Sequence, residues 1–402
     1  MQSQTMGDEV PFAFAELFFS RTDEHGIIQS GNGVFQRVSG YSWDELLKKP
    51  HKIIRHPDMP RAVFWLLWNT IAQGKPIGAY VKNRAKDGRY YWVFALITPA
   101  QGGYLSVRLK PSSPLFHIVE KEYAALEARE RAESLKPADS AALLLQRLAE
   151  LGFRDYDAFM SSALSGELIA RANILNGPAD ERVDRFTNIQ SAAMSLMDEA
   201  NKIFSAFAEN AYVSLNFQVQ AAKLGQAGAA IGEISRNYDD ISGSIRHNME
   251  SFVASAAEVA GTVSEGLFLF AGARLQQEVQ GYFAREESED ESIRARDVEC
   301  LDEQANTYHR KAVDGLVRIS ARVVGFGGEI AYMKRLVTGL EVTRIMGKVE
   351  SARLNLLEHG LDGLIDELEN LQRAIAAGLK AINNLNLRVQ RDAKLLLEGV
   401  AA

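Results

Sequence analysis

The 402-residue sequence has one cysteine, Cys300, so it has no internal disulfide and none of the paired-cysteine spacings that hold zinc. It has no proline after Pro178 and no tryptophan after Trp92. It lacks a basic surplus, the formal net charge being −7. A protein that grips phosphate backbones needs a cationic face, so nucleic acid is not the expected partner. No apolar run reaches about 20 uninterrupted residues, the length that crosses a bilayer as a helix. The most apolar stretch, residues 252–273, is broken by Glu258 and Glu265. A charge near a bilayer centre costs about 2.5–3.5 kcal/mol, so this stretch reads as a core helix and no membrane span is expected. The opening MQSQTMGDEVPFAF has neither the basic nor the apolar region of a secretory signal. A soluble protein of the reducing cytoplasm is expected.

What is present divides in two. Hydrophobic residues make up 47% and charged residues 24%, ordinary globular values, and the length suggests two or three domains. Proline costs about 3 kcal/mol inside a helix, so the proline-free residues 179–402, rich in Ala, Leu, Glu, Arg and Gln, are predicted to be helical. The first hundred residues instead alternate β-type runs with turn signals. Strands are predicted over 17–22, 26–30, 78–84, 90–98 and 103–109, with Asp87-Gly88 as a hairpin turn. Asn32-Gly33 opens a helical turn through Val38, and Ser42 with Glu45 forms a capping box. A helix over 60–73 sets Phe64, Leu67, Trp68 and Ile71 on one face. The fold class expected is an α+β domain with a five-stranded antiparallel sheet and short helices, followed by an all-α bundle or coiled coil.

The boundary is expected after Pro111-Ser-Ser-Pro114, giving a first domain at 1–113, a helical connector at 114–178 and a helical bundle at 179–402. Within the connector, residues 115–135 carry many Glu and Arg, and residues 141–151 and 156–175 have amphipathic spacing. The run EESEDES followed by IRARD, over 285–297, reads as a solvated link.

Several residues in the first domain suit a ligand. Arg55, His56 and Asp58 stand together before a helix, where the planar guanidinium fork pairs with an anionic or carbonyl-rich group. The same residues would also serve as a loop tied by an Arg–Asp pair. Asn83, on a strand, offers a donor and an acceptor to the edge of a heteroaromatic ring. Trp68 and Trp92 are candidates to stack on such a ring or to pack in the core.

The segments SRTDEHGIIQSGNGVFQRVSGYSWDEL, KPHKIIRHPDMP, LWNTIAQGKPIGAYVKNRAKDGRYYWV and YLSVRLKPSS resemble the PAS domain of aerotaxis receptors from Phe19 to Ser113, about a quarter of the chain. The resemblance implies a non-covalent flavin, FAD, between the central helices and the sheet. Its redox state would report oxygen or electron-transport status. Arg55, His56, Asp58 and Asn83 match family positions associated with flavin binding. Two residues depart from the family: Ile77 stands where a tryptophan of the flavin site is usual, and Gly33 replaces an acidic residue common after Asn32. A haem would need an axial histidine, for which His51 and His56 are available. A LOV-type photoadduct is excluded because this domain has no cysteine.

The segment ENAYVSLNFQVQAAKLGQAGAAIGEIS, residues 209–235, resembles the cytoplasmic hairpin tip of methyl-accepting chemotaxis proteins through Leu215, Asn216, Val219, Ala221, Ala222, Lys223, Gly225 and Gly228. Gln220 replaces the family's acidic residue there, and Lys223 its arginine. Val219-Gln-Ala-Ala-Lys-Leu224 recurs as Val349-Glu-Ser-Ala-Arg-Leu354, where Glu350 and Arg353 restore both residues. The resemblance implies a face for a chemotaxis coupling protein or histidine kinase at Asn216, Gln220, Lys223, Glu350 and Arg353, and a homodimer. The alternative is a cofactor-free PAS scaffold that dimerises. No P-loop, nucleophile elbow, zincin or kinase motif is present. His247 lacks the following acidic residue of a phosphoacceptor histidine. A non-enzymatic role is expected.

Overall fold

A computed structural model describes residues 8–178, 180–209, 211–223, 225–286, 291–353 and 361–401. The first hairpin pairs β1 (Phe18–Thr22) with β2 (Ile28–Gly31). Its turn is closed by Asp23, whose carboxylate accepts the backbone N–H groups of His25 and Ile27 at 2.9 Å each. Asn32 caps α1 (Gly33–Ser39) by accepting from the N–H of Phe35, and the same oxygen accepts from Phe19 of β1 at 2.9 Å. The capping box of Ser42 and Glu45 opens α2 (Trp43–Leu46). A 3₁₀ turn (His51–Ile54) and α3 (Arg61–Ile71) follow. The sheet is completed by β3 (Ile77–Arg84), β4 (Tyr90–Ala100) and β5 (Gly103–Leu109). All neighbours are antiparallel in the order β2-β1-β5-β4-β3, the five-stranded sheet of a PAS fold.

Every residue of β4 from Tyr91 to Thr98 is buried, so both faces of the sheet are covered. On one face lie α3 and the 3₁₀ turn. On the other lie helices that follow the sheet, one directly after its last strand and others from much later in the chain. The contacts divide the protein into two compact units, one of residues 1–187 with 264–314, the other of residues 188–263 with 315–402. These lines differ from boundaries at 113 and 178.

In the first unit, residues 114–178 form α4 (Pro114–Glu133), α5 (Pro137–Glu150) and α6 (Tyr156–Ile174), which pack on the PAS domain. Glu167 of α6 is fully buried; its carboxylate accepts the Tyr80 hydroxyl of β3 at 2.8 Å, the N–H groups of Ser112 and Ser113, and the Ser113 hydroxyl. Glu130 of α4 accepts the N–H groups of Arg61 and Ala62, at 2.9 and 3.2 Å, and the Ser140 hydroxyl of α5. It thereby supplies the cap that α3, which starts after Pro60, lacks from its own side chains.

The end of α9 (Ala229–Phe283) and the start of α10 (Glu291–Arg353) also cover the sheet. Gln276 bonds Thr98, Gln304 bonds the Pro99 carbonyl at 2.8 Å, and Phe283 meets Phe19 with ring centroids 5.0 Å apart. The solvated link expected over 285–297 is corrected: helix begins at Glu291, and Asp297 is fully buried and ion-paired with Arg21 at 2.5 Å. Glu286 accepts the N–H of Gly33 at 2.9 Å. A charge run reads as solvent-facing only until a cation distant in sequence claims one member.

The second unit contains most of α7 (Glu181–Glu209), α8 (Ala211–Lys223), a 3₁₀ turn (Gly225–Gly228), the remaining lengths of α9 and α10, and α11 (Leu361–Ala401). Its core includes Leu196, Phe252, Phe326 and Leu379; Phe252 and Phe326 approach to 4.8 Å between centroids. By length and composition α9 is apolar enough to cross a membrane, and 56% of that apolar window is buried inside the protein.

Candidate functional site

A cavity of about 410 Å³ lies between α3 and the sheet, within the size range of small-molecule sites. Strand alternation decides its sheet wall. On β5, Tyr104, Ser106 and Arg108 face it, while Leu105, Val107 and Leu109 are buried on the other side. On β3 it is met by Val81 and Asn83, and on β4 by Ala95 and Ile97. The opposite wall is the predicted face of α3: Phe64, Leu67, Trp68 and Ile71. Trp68 and Tyr104 form an edge-to-face pair at 5.9 Å across the mouth.

Arg108 is the dominant charge. Its guanidinium is buried, with Nη2 donating to the Ser20 hydroxyl at 2.8 Å and lying 2.7 Å from His51 Nε2. Among the described residues Nη1 has no hydrogen-bond partner, and neither has the buried Ser106 hydroxyl. Burial pushes Arg108 down to about 10, which still leaves it charged at neutral pH. His51 is pushed down to about 3, first by burial and then by Arg108, so it stays neutral and accepts from the guanidinium. An uncompensated cation in a low-dielectric wall is costly. A ligand presenting an electron-rich atom would remove that cost.

Arg55 follows the 3₁₀ turn and is tied to the edge strand β3 by a bridge to Asn83. Its guanidinium lies over the Phe64 ring at 3.7 Å, and burial lowers its proton affinity. Arg55, Asn83 and Trp68 therefore meet at the cavity, as their sequence positions suggested.

Three other candidates do not line it. His56 is buried beside the cavity wall, where Nδ1 accepts the Asp58 N–H at 3.2 Å and the ring meets Tyr90 edge-on. Burial and Lys82 lower its proton affinity. Asp58 turns away to Lys82, at 3.4 Å, and Arg131, at 3.3 Å. Trp92 lies on the other sheet face, packed on Phe116 and Tyr123. Alternation from Ala95 and Ile97 requires this, because an even-numbered residue on β4 points the other way. Ser106, Tyr104 and Arg108 went unremarked in sequence, and His51 was noted only as an available haem ligand. The polar residues at every second position of β5 were the available signal, though such a pattern usually marks solvent. Ile77 is fully buried and pairs across strands with Ile97, which lines the cavity.

In the helical region, the segment resembling a chemoreceptor tip breaks at Gly225, whose φ of +56° needs glycine, between α8 and α9. Asn216 and Lys223 are exposed and Gln220 is half-buried on α8. Glu350 and Arg353 are paired with each other on α10 at 2.5 Å. Residues 224 and 354, which end the two similar hexapeptides, lie outside the described residues.

The PAS fold family matches residues 30–104. The N-terminal part of the chain is 40% identical to the aerotaxis receptor of Escherichia coli (strain K12) over 123 residues, 29% of this chain and 24% of the receptor. It is 33% identical to a nitrogen fixation regulatory protein of Klebsiella pneumoniae over 85 residues, 21% of this chain and 17% of the regulator. The chain thus matches about a quarter or less of the length of these relatives. Among solved structures, the light state of the blue-light photoreceptor Aureochrome1 LOV is 25% identical, with a TM-score of 0.22 over 28% of this chain and 90% of that one. A PAS domain from Colwellia psychrerythraea is 20% identical, with a TM-score of 0.21 over 23% and 85%. The first part of the chain has a PAS fold and is similar in sequence to part of an aerotaxis receptor and part of a nitrogen fixation regulatory protein.

Proposed function

We propose that the protein is a redox or oxygen sensor whose PAS cavity holds a flavin, FAD, and whose helical region passes the redox state to a chemotaxis-type coupling protein or histidine kinase. The observation that carries this reading is Arg108, a buried cation with an unpaired Nη1 at a cavity wall that also presents Asn83, Arg55 and the Trp68–Tyr104 pair. These residues fit a planar, electron-rich ring: aromatic and aliphatic walls for its faces, an amide and a guanidinium for its edge. A bound flavin supplies reversible electron transfer together with a change of charge. Arg108 would favour the more negative state, because a buried cation interacts strongly through a low-dielectric wall. Neutral His51 fixes the guanidinium without adding a second positive charge.

The cavity wall and the covering helices share partners. α3 supplies four wall residues, and its first N–H groups are held by Glu130 of α4. A displacement of α3 therefore disturbs α4 and α5 at once. No bond-making step is assigned to this chain, and we read its role as sensing rather than catalysis.

The test is an absorbance spectrum of purified protein, repeated on Asn83→Ala and Arg108→Met. Flavin bands in the parent that weaken in both variants are expected. A colourless protein that takes up no FAD on addition would reduce the domain to a scaffold, and a Soret band would reassign it to haem.

A further inference from the structure

Two neighbouring helices of the second unit concentrate positive charge. Residues 315–340 of α10 and 370–397 of α11 hold nine Lys and Arg and two carboxylates, Glu329 and Asp392, in a chain whose net charge is −7. Asp392 is buried. The two helices run antiparallel: Arg344 Nε donates to Gln372 Oε1 at 3.1 Å, and Gln390 Nε2 donates to the Val323 carbonyl at 2.9 Å. That register sets Lys380 beside Lys334 and Arg335. Among the described residues none of these three, nor Arg388, has a carboxylate partner. On α11, Leu387, Arg388, Arg391, Lys394 and Leu395 fall within about 120° of the helix. They stand opposite the buried Ile382, Val389, Ala393 and Leu396. Leu387 is 53% and Leu395 39% exposed. The first carboxylate beyond them on this face is Glu398, 3.7 Å from Lys394.

We propose that this face adsorbs to an anionic lipid surface. An acidic protein would be held in register by charges placed opposite its own, and a single-stranded nucleic acid by aromatic side chains under its bases. Residues 361–401 contain no aromatic residue. The α11 cations are instead strung from Arg373 to Lys394, over about 32 Å at 1.5 Å per residue. They lie on the convex outer side of a helix, with leucines between them. A plane of phosphate headgroups fits that arrangement. The charged tips reach the phosphates, the Lys and Arg stems lie along the apolar boundary, and Leu387 and Leu395 enter it. Each cation near an anionic membrane strengthens partitioning about fivefold. The rest of the chain is correspondingly acidic, so this face alone is attracted and the orientation is fixed. None of this depends on what the PAS cavity binds.

The test is co-sedimentation of the full chain with vesicles. At low salt the protein should pellet with vesicles of equal parts phosphatidylglycerol and phosphatidylcholine, and stay in solution with phosphatidylcholine alone. Binding should weaken steeply with salt, because the Debye length shrinks from about 10 Å at 0.1 M to about 3 Å at 1 M. Lys380→Glu with Arg388→Glu reverses two exposed cations that have no carboxylate partner. It should weaken binding about tenfold or more while helicity and melting stay as in the parent. Leu387→Ser should weaken binding several-fold at every salt concentration. Pelleting with neither kind of vesicle at low salt would overturn the proposal. So would equal pelleting with both, or full binding by the charge-reversed pair. Tighter retention by a DNA duplex than by the anionic vesicles, lost in the same variant, would overturn it as well and give the face to nucleic acid.

Discussion

Arg108 Nη2 and His51 Nε2 lie 2.7 Å apart at the cavity wall, and no carboxylate is among the charges that act on either group. Isolated buried cations are rare because desolvation is repaid only by a partner. In this protein the partners are a hydroxyl and a neutral imidazole, and one guanidinium nitrogen is left over.

Replacing that cation should therefore separate stability from binding. Arg108→Met keeps much of the side-chain volume and removes the desolvation cost. The ligand-free variant should be as stable as the parent or more so, by up to about 1–4 kcal/mol. Its flavin affinity should fall at least tenfold. Urea unfolding without ligand and flavin titration read the two effects, and a parallel loss of both would count against the assigned role.

His51 predicts a pH dependence. Its proton affinity is held at about 3 in the folded protein, against 6.5 for a free imidazole. Between those values the unfolded chain binds a proton and the folded one does not, so stability falls as pH drops below about 6.5. The slope is no steeper than about 1.4 kcal/mol per pH unit. The loss between pH 7 and pH 5 should be smaller in His51→Gln than in the parent, by about 1–2 kcal/mol, in unfolding curves at the two pH values.

The two tryptophans on opposite sheet faces should behave differently. Trp92→Ala empties a packed site beside Phe116 and Tyr123 and should cost about 3–5 kcal/mol. Trp68→Ala removes a side chain 44% exposed at the cavity mouth. It should cost under about 1 kcal/mol while weakening flavin binding several-fold. Thermal melts and titrations of both variants decide this.

Asp297→Ala leaves Arg21 without its partner in a largely buried place and should cost about 3–5 kcal/mol. The double change Arg21→Leu with Asp297→Leu should recover much of that. A double-mutant cycle in urea measures the coupling.

Glu130→Ala strips the cap from α3 and the acceptor from Ser140. A loss of about 1–3 kcal/mol is expected. Because α3 forms the cavity wall, the environment of Trp65 and Trp68 should change as well, seen as a shift in tryptophan emission.

Much of the local structure is written in the sequence by itself. Asp87-Gly88 sets the β3–β4 hairpin, with Gly88 at a φ of +94° that favours glycine. Ser42 and Glu45 form their capping box, and Asn32 caps α1. The absence of proline after Pro178 left long helices as the only economical fold for the rest. Those signals are local, acting over two to five residues, and survive any tertiary context. The faces of β4 were legible too, since alternation alone puts Trp92 opposite Ala95.

What the sequence left open depends on distant partners. Nothing near Arg108 in the chain distinguishes a solvent-facing strand arginine from one sealed into a cavity with His51, 57 residues away. Asp297 reads as one charge among many until Arg21, 276 positions earlier, is folded against it. The covering of the sheet by α6, α9 and α10 was likewise decided by packing: β4 announces that both its faces are buried, but only tertiary structure says by what. Short-range hydrogen bonds and periodicity act between neighbours and can be read in order, whereas desolvation and charge pairing belong to groups that the chain brings together only once folded.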